Sequence, residues 1–269
     1  MHHASLRSRA TVYSTPHSAD PGGQGIRADL SAAFQCSALP PGIELRSVEL
    51  AGASAEFQRA WSLLSAEERA AAERFRRERD REAFVRMRAA LRERLGELVG
   101  GAAGELVFLR GPQGKPELAR PWADRGWRFN VSHSGGLGLM AFAQACPVGV
   151  DIEQHRADLE YLDLARRFFS PQEQAELRAL SPAVQLGAFF DCWTRKEAFL
   201  KALGHGLSLP LDSFAVSLAP GQPARLLSAT SAWGLTAAWQ MADLRPRAGY
   251  SAALVWAAEP PASVQSRAR

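Results

Sequence analysis

Residues 190–207 read FDCWTRKEAFLKALGHGL. With Phe189, the large residues Trp193, Phe199, Leu200 and Leu203 recur at helical spacing, which predicts an amphipathic helix. Gly204 and Gly206 stop it, as glycine does just past a last turn. Glu197 and Lys201 are four residues apart and project from one side. Alone, such a pair is an exposed ion pair worth about 0.3–0.5 kcal/mol. What surrounds the helix gives it more weight. Strand, helices and then several strands occur twice along the chain, over residues 43–143 and 148–257. That order predicts an α/β (α+β) fold of two similar halves, each a small, mainly antiparallel sheet packed with helices, meeting along a seam. It argues against a doubly wound parallel sheet.

The other elements follow from local pattern. Ile43 to Leu50 alternates apolar and polar residues like a strand. Ser54 and Ser65 are placed as N-caps, and Ser65 has Glu68 three residues on, a capping-box spacing. From there to Leu98 the spacing predicts one long helical stretch. Glu105 to Arg110 reads as a short strand, followed by a turn that carries Lys115. Arg128 to Ser132 and Leu137 to Ala143 read as a hairpin closed near Gly135 and Gly136. Val148 to Glu153 is a strand with Val148, Val150 and Ile152 on one face and Gly149, Asp151 and Glu153 on the other. Ser170, Pro171 and Glu173 start a helix. Phe214 to Leu218, Leu235 to Met241 and Tyr250 to Ala257 close the chain as strands. Residues 1–42 mix Ser, His, Pro and Gly without a period and read as a disordered leader; Asp20 and Asp29 weigh against a transit peptide. The expected units are 1–42, 43–147, 148–258 and a frayed tail, 259–269.

Composition narrows the class. A chain of 269 residues that is 46% hydrophobic and 22% charged has the makings of a real core. No apolar run approaches the roughly 20 residues of a membrane span, and no secretory h-region is present. Three scattered cysteines, Cys36, Cys146 and Cys192, suit reduced thiols in a cytoplasm better than a disulfide framework or a zinc site. The formal charge of +4 favours acidic partners. Between Arg74 and Arg94 stand nine arginines against four acids. Intrahelical ion pairs explain part of this, and an anionic ligand explains the excess equally well.

The chemistry sits in a few polar positions. Asp151 and Glu153, at i and i+2 on a strand, share a face. They read either as the wet side of an edge strand or as repelling carboxylates that a divalent cation relieves. With Glu197 they make the oxygen-rich set that suits Mg²⁺. Ser132, His133 and Ser134 at a strand end, with Lys115 and the arginine helix, offer a phosphate grip built from side chains. No glycine-rich phosphate loop is present.

In this order and spacing, several blocks resemble the Sfp-type 4′-phosphopantetheinyl transferases. They are Gly114-Lys115-Pro116, Phe129 to Ser134, Val148 to Glu153, Arg167 to Ser170 and Trp193 to Lys201, extended by Gly204 to Phe214. The resemblance spans roughly Arg74 to Phe214 and leaves out the leader. It implies a pseudo-two-fold monomer with coenzyme A as co-substrate in the cleft between the halves. Asp151, Glu153 and Glu197 would hold Mg²⁺, with Mn²⁺ as an alternative. Ser132, His133 and Lys115 would hold coenzyme A phosphates, and Lys201 would stabilise charge at the pyrophosphate or act as general acid. Glu197 would be the base. Arg88, with Arg81 and Arg86 as rivals, would anchor the 3′-phosphate. The partner would be an apo acyl or peptidyl carrier protein, with no nucleic acid and no membrane. The competing reading is a basic nucleic-acid-binding module without catalysis; it has no use for three carboxylates in register.

Overall fold

A computed structural model describes residues 39–111, 115–204, 209–229 and 238–258. The leader up to residue 38, the tail from 259, Gly114 and His205 to Ser208 lie outside the described residues. The first half contains β1 (Ile43–Glu49), α1 (Ser54–Leu63), α2 (Ala66–Ala72), α3 (Glu78–Val99), β2 (Phe108–Arg110), β3 (Pro116–Leu118), β4 (Trp127–Ser134) and β5 (Leu137–Gln144). The second contains β6 (Val148–Gln154), α4 (Tyr161–Phe168), α5 (Pro171–Ala179), α6 (Pro182–Leu203), β7 (Ala215–Val216), β8 (Leu226–Ser228), β9 (Trp239–Leu244) and β10 (Tyr250–Ala257).

The halves share a topology. One three-stranded antiparallel sheet has the order β1-β5-β4, the other β6-β10-β9. In each, the first strand in the chain pairs with the third and the third with the second. Each sheet also has its long helix between its first two strands. α3 covers the face that carries Val48, Phe129, Met140 and Phe142. α6 covers the face that carries Ala253 and Val255. The opposite faces of both sheets share one core, in which Leu45, Leu139 and Ala141 meet Val150, Ile152 and Leu254. Strand alternation divides each strand between these layers, so helix, sheet, sheet and helix stack in sequence. Leu39, just ahead of β1, packs on the same central core.

Several boundaries differ from those predicted. The helical stretch from Ser65 is two helices, because residues 73–80 are all exposed and have no apolar stripe to bury. The cap of α1 is Ala53 rather than Ser54, which is the first helical residue. The capping boxes at Ser65 and Ser170 form as their spacing predicts. Residues 103–105 turn as a short 3₁₀ segment, so the strand after them shrinks to β2. A register shift between Ala215 and Val216 limits β7 to those residues. The strand predicted at 235–241 runs from Trp239 to Leu244, and residues 230–237 lie outside the described set.

The largest correction concerns the opening helix. It starts at Pro182, and beyond Ala188 it is buried on nearly every side rather than amphipathic. One side lies on β10, and the other is covered by Phe169, Leu177, Phe214 and Val216. Its buried cations are paired accordingly. Lys196 and Glu173, each 1% exposed, lie 2.8 Å apart, and Arg195 is 2.6 Å from Asp243. Among the described residues no helix is long and apolar enough to cross a membrane.

Candidate active site

The site begins at a glycine. A Cβ on Gly149 would lie 2.1 Å from the Ala198 carbonyl and 2.4 Å from the Ala202 nitrogen, so α6 rests its backbone directly on β6. A glycine inside a strand marks such an approach. The contact delivers two side chains of α6 to the next outward residue of β6. Lys201 Nζ donates to Asp151 Oδ1 at 2.6 Å, to Ser132 Oγ at 2.9 Å and to the Val150 carbonyl at 3.2 Å. One turn earlier stands Glu197. Burial, then the charge of Asp151, pushes its carboxyl up to about 7 against the opposing pull of Lys201.

Asp151 is only 4% exposed. Its Oδ1 also accepts from Ser132 Oγ at 2.7 Å. Its Oδ2 is buried without any hydrogen-bond partner. A buried carboxylate oxygen left bare costs about 1–3 kcal/mol or more, so the site is built for something to meet it. Glu153 lies on the same strand face, and its Oε2 accepts from Ser134 Oγ at 2.7 Å. Among the described residues no group of three His, Cys, Asp or Glu side chains is assembled as a metal cage. Mg²⁺ needs no such cage: one or two carboxylates suffice when substrate phosphates and water complete the octahedron. The bare Asp151 oxygen beside Glu197 fits that demand.

Lys115 approaches from the turn before β3 and donates to the Lys201 carbonyl at 2.9 Å, in the last turn of α6. Burial, then the charges of Arg128 and Lys201, brings its pKa down to about 8 against the pull of Glu117. Cations that converge this closely make a place for an anion.

Ser132 already spends its hydroxyl on Asp151 and its lone pair on Lys201. His133 follows the alternation of β4 and falls on the α3-facing side, with Val131 and Phe129. Arg88 lies on that side too. Its Nε is 3.0 Å from Glu68 Oε1, a charge contact without hydrogen-bond alignment, and its guanidinium rests over Phe108 at 5.1 Å. Burial depresses its pKa. Of its rivals, Arg86 is a strut between Glu56, Glu82 and the Ala53 carbonyl, and Arg81 pairs with Glu78. Asp151, Glu197, Lys201, Ser132 and Lys115 therefore come together, while His133 and Arg88 stand across β4.

Two groups were not foreseen from sequence. Asn130 Oδ1 accepts from the Val150 N–H at 2.9 Å; the polar residues at 130, 132 and 134 on one strand face were its signal. His155 Nε2 lies 2.8 Å from Ser251 Oγ, which donates to Asp191 Oδ1, and Arg245 completes the cluster. No local pattern announces that one.

Comparison with known proteins finds matches over both halves of the chain. Residues 147–255 match the profile of the 4′-phosphopantetheinyl transferase superfamily, and residues 51–145 match that of the 4′-phosphopantetheinyl transferase N-terminal region. A protein of Synechocystis sp. (strain ATCC 27184 / PCC 6803 / Kazusa) carrying the 4′-phosphopantetheinyl transferase name is 39% identical over 197 residues, which cover 72% of this chain and 80% of that protein. The 4′-phosphopantetheinyl transferase HetI of Nostoc sp. (strain PCC 7120 / SAG 25.82 / UTEX 2576) is 35% identical over 204 residues, covering 76% and 83%. The 4′-phosphopantetheinyl transferase Sfp of Bacillus subtilis (strain 168) is 46% identical over a shorter 90 residues, 34% of this chain and 39% of that protein.

Proposed function

The chain belongs to the Sfp-type 4′-phosphopantetheinyl transferases, and from that premise we propose that it moves the phosphopantetheine arm of coenzyme A onto a serine of an apo acyl or peptidyl carrier protein, with release of 3′,5′-ADP and dependence on a divalent cation. The observation that carries the reading is the bare Oδ2 of Asp151, buried beside Glu197 and Lys201. The reading of a basic module without catalysis gives way to that of an enzyme.

The residues divide the work by chemistry. Asp151 and Glu197, with Glu153 beside them, would hold Mg²⁺ or Mn²⁺, which when bound would neutralise charge on the pyrophosphate. Lys201 offers a fixed positive charge to the oxygen that departs with 3′,5′-ADP. Lys115 adds a second cation for the phosphates and Ser132 borders them, while His133 lies with Arg88 on the α3-facing side of β4. Arg88, on the far side of β4, suits the 3′-phosphate at the other end of an elongated ligand. The serine hydroxyl attacks the pantetheine-linked phosphorus as the bond to the ADP oxygen breaks. That hydroxyl is a weak nucleophile until its proton is taken. Glu197, in the same cluster as Asp151 and Lys201, is the base. Such displacement depends on placement and charge, which this cluster supplies without a covalent intermediate on the protein. The net positive charge suits an acidic carrier domain.

The test is transfer of labelled phosphopantetheine to several apo-carrier proteins, with release of 3′,5′-ADP measured with and without Mg²⁺. Asp151→Asn keeps an oxygen for Ser132 and Lys201 but removes the charge. It is expected to lower transfer by at least ~100-fold while the circular dichroism spectrum is unchanged. Undiminished transfer by Asp151→Asn, or none by the wild type to any apo-carrier, sinks the reading.

A further inference from the structure

β4 and β6 are edge strands of different sheets, and they run side by side. Val150 N–H bonds to Asn130 and Gln154 N–H to Ser134, each with an offset of 20 residues, so the strands run in the same direction. What joins them here is alternate side chains of β4. Asn130 takes the Val150 N–H, Ser132 donates to Asp151, and Ser134 donates to Glu153.

Ser134, like Ser132, is held on both its acceptor and its donor side. Its oxygen accepts the Gln154 N–H at 3.1 Å, so its own proton is directed at Glu153 Oε2, 2.7 Å away. A hydroxyl held on its acceptor side cannot swing freely, and it fixes the carboxylate it donates to. Ser132 does the same for Asp151 from two residues earlier. One half of the molecule thus supplies the carboxylates, and the other supplies the hydroxyls that aim them.

We propose that Ser134 is a positioning residue for the cation site: from the first half, its hydroxyl orients the Glu153 carboxylate of the second half for a divalent cation. This rests on the reading that Asp151, Glu153 and Glu197 hold such a cation. Groups that orient a metal's ligands typically change its affinity by about 10–100-fold when removed. A half-buried carboxylate on a strand edge belongs at the low end of that range.

The experiment titrates Mn²⁺ into the full chain with coenzyme A present and reads the free Mn²⁺ signal by electron paramagnetic resonance. Ser134→Ala is expected to weaken Mn²⁺ binding about 10-fold. Ser134→Thr keeps the hydroxyl and is expected to bind Mn²⁺ like the wild type. If the alanine variant does not fold, Ser134→Val against Ser134→Thr decides, because the pair differs by a methyl in place of a hydroxyl and both suit a strand. Wild-type Mn²⁺ affinity in the alanine or valine variant overturns the proposal, even if the melting temperature falls. Equal losses in the threonine and alanine variants overturn it too, since shape rather than the hydroxyl would then be at work. Failure of the wild type to bind Mn²⁺ rejects the cation reading itself, and this proposal with it.

Discussion

At Lys115 the cost of a buried charge can be followed with pH. Its ammonium is held by the Lys201 carbonyl and lies near the charges of Lys201 and Arg128, with a pKa of about 8. An unfolded lysine titrates near 10.4. Below pH 8 both states carry the proton, and the folded state bears the full cost of burying it. Between about 8 and 10.4 the unfolded chain holds a proton that the folded chain has lost, so stability attributable to this residue rises with pH. The ceiling is about 3 kcal/mol, at 1.36 kcal/mol per pKa unit. The expected result is that wild type gains on Lys115→Met by up to that amount as pH goes from 7.5 to 10.5. Urea unfolding of both proteins across that range measures it. A constant difference would show that the neighbouring cations and burial do not depress this group. The same residue shows why a phosphate belongs here: an anion would relieve the repulsion that makes Lys115 expensive. Arg88 stands in contrast, since Glu68 and Phe108 already occupy part of its charge and its face.

Among the elements, α6 and β6 set the geometry through one missing methyl group. Gly149→Ala would push a Cβ into the Ala198 carbonyl, and backbone cannot step aside as a flexible side chain does. The expected cost is about 1–3 kcal/mol of stability, together with a loss of transfer far larger than that of the neighbouring Val148→Ala. The readout is melting temperature beside transfer rate. Wild-type transfer in Gly149→Ala would mean that the docking of α6 on β6 is not what places Glu197 and Lys201. Much of this arrangement was legible in the sequence. The alternation of Val148 to Glu153 put Gly149 and Asp151 on one face, and the spacing of Glu197 and Lys201 put both on one side of a helix. The glycine pair at 135–136 gave the hairpin, and Ser65 and Ser170 gave capping boxes, because each is a local pattern. The burial of α6 was not legible: what covers its second side, such as Phe214 and Val216, comes from residues after it. Nor could periodicity show that Ser132 and Ser134 reach across to another sheet.

For the whole molecule, distant partners change what a local count suggests. The arginine excess of 74–94 looked like half a ligand site, yet Arg86, Arg88, Arg92 and Arg94 take their acids from Glu56, Glu68 and Glu44 elsewhere in the chain. What remains exposed without an ion-pair partner among the described residues is Arg74 and Arg76. The halves themselves depend on each other in the same way. Each sheet has a helix on one face only, and its other face finds cover in the opposite half, with Leu139 and Ala141 against Val150, Ile152 and Leu254. Separating the halves would expose both faces at about 25 cal/mol per Å² of apolar surface. The halves should therefore unfold as one cooperative unit rather than as independent domains. Ile152→Ala tests this, because it removes a fully buried side chain in the second half and should cost about 2–5 kcal/mol. Native-state hydrogen exchange would then report on strands in both halves, at Leu139 and Ala141 in β5 and at Leu254 and Val255 in β10. The expectation is equal opening free energies in the wild type and an equal fall in the variant. If β10 lost protection while β5 kept its own, the halves would be separate domains, and a cation site assembled across their seam could open without either half unfolding.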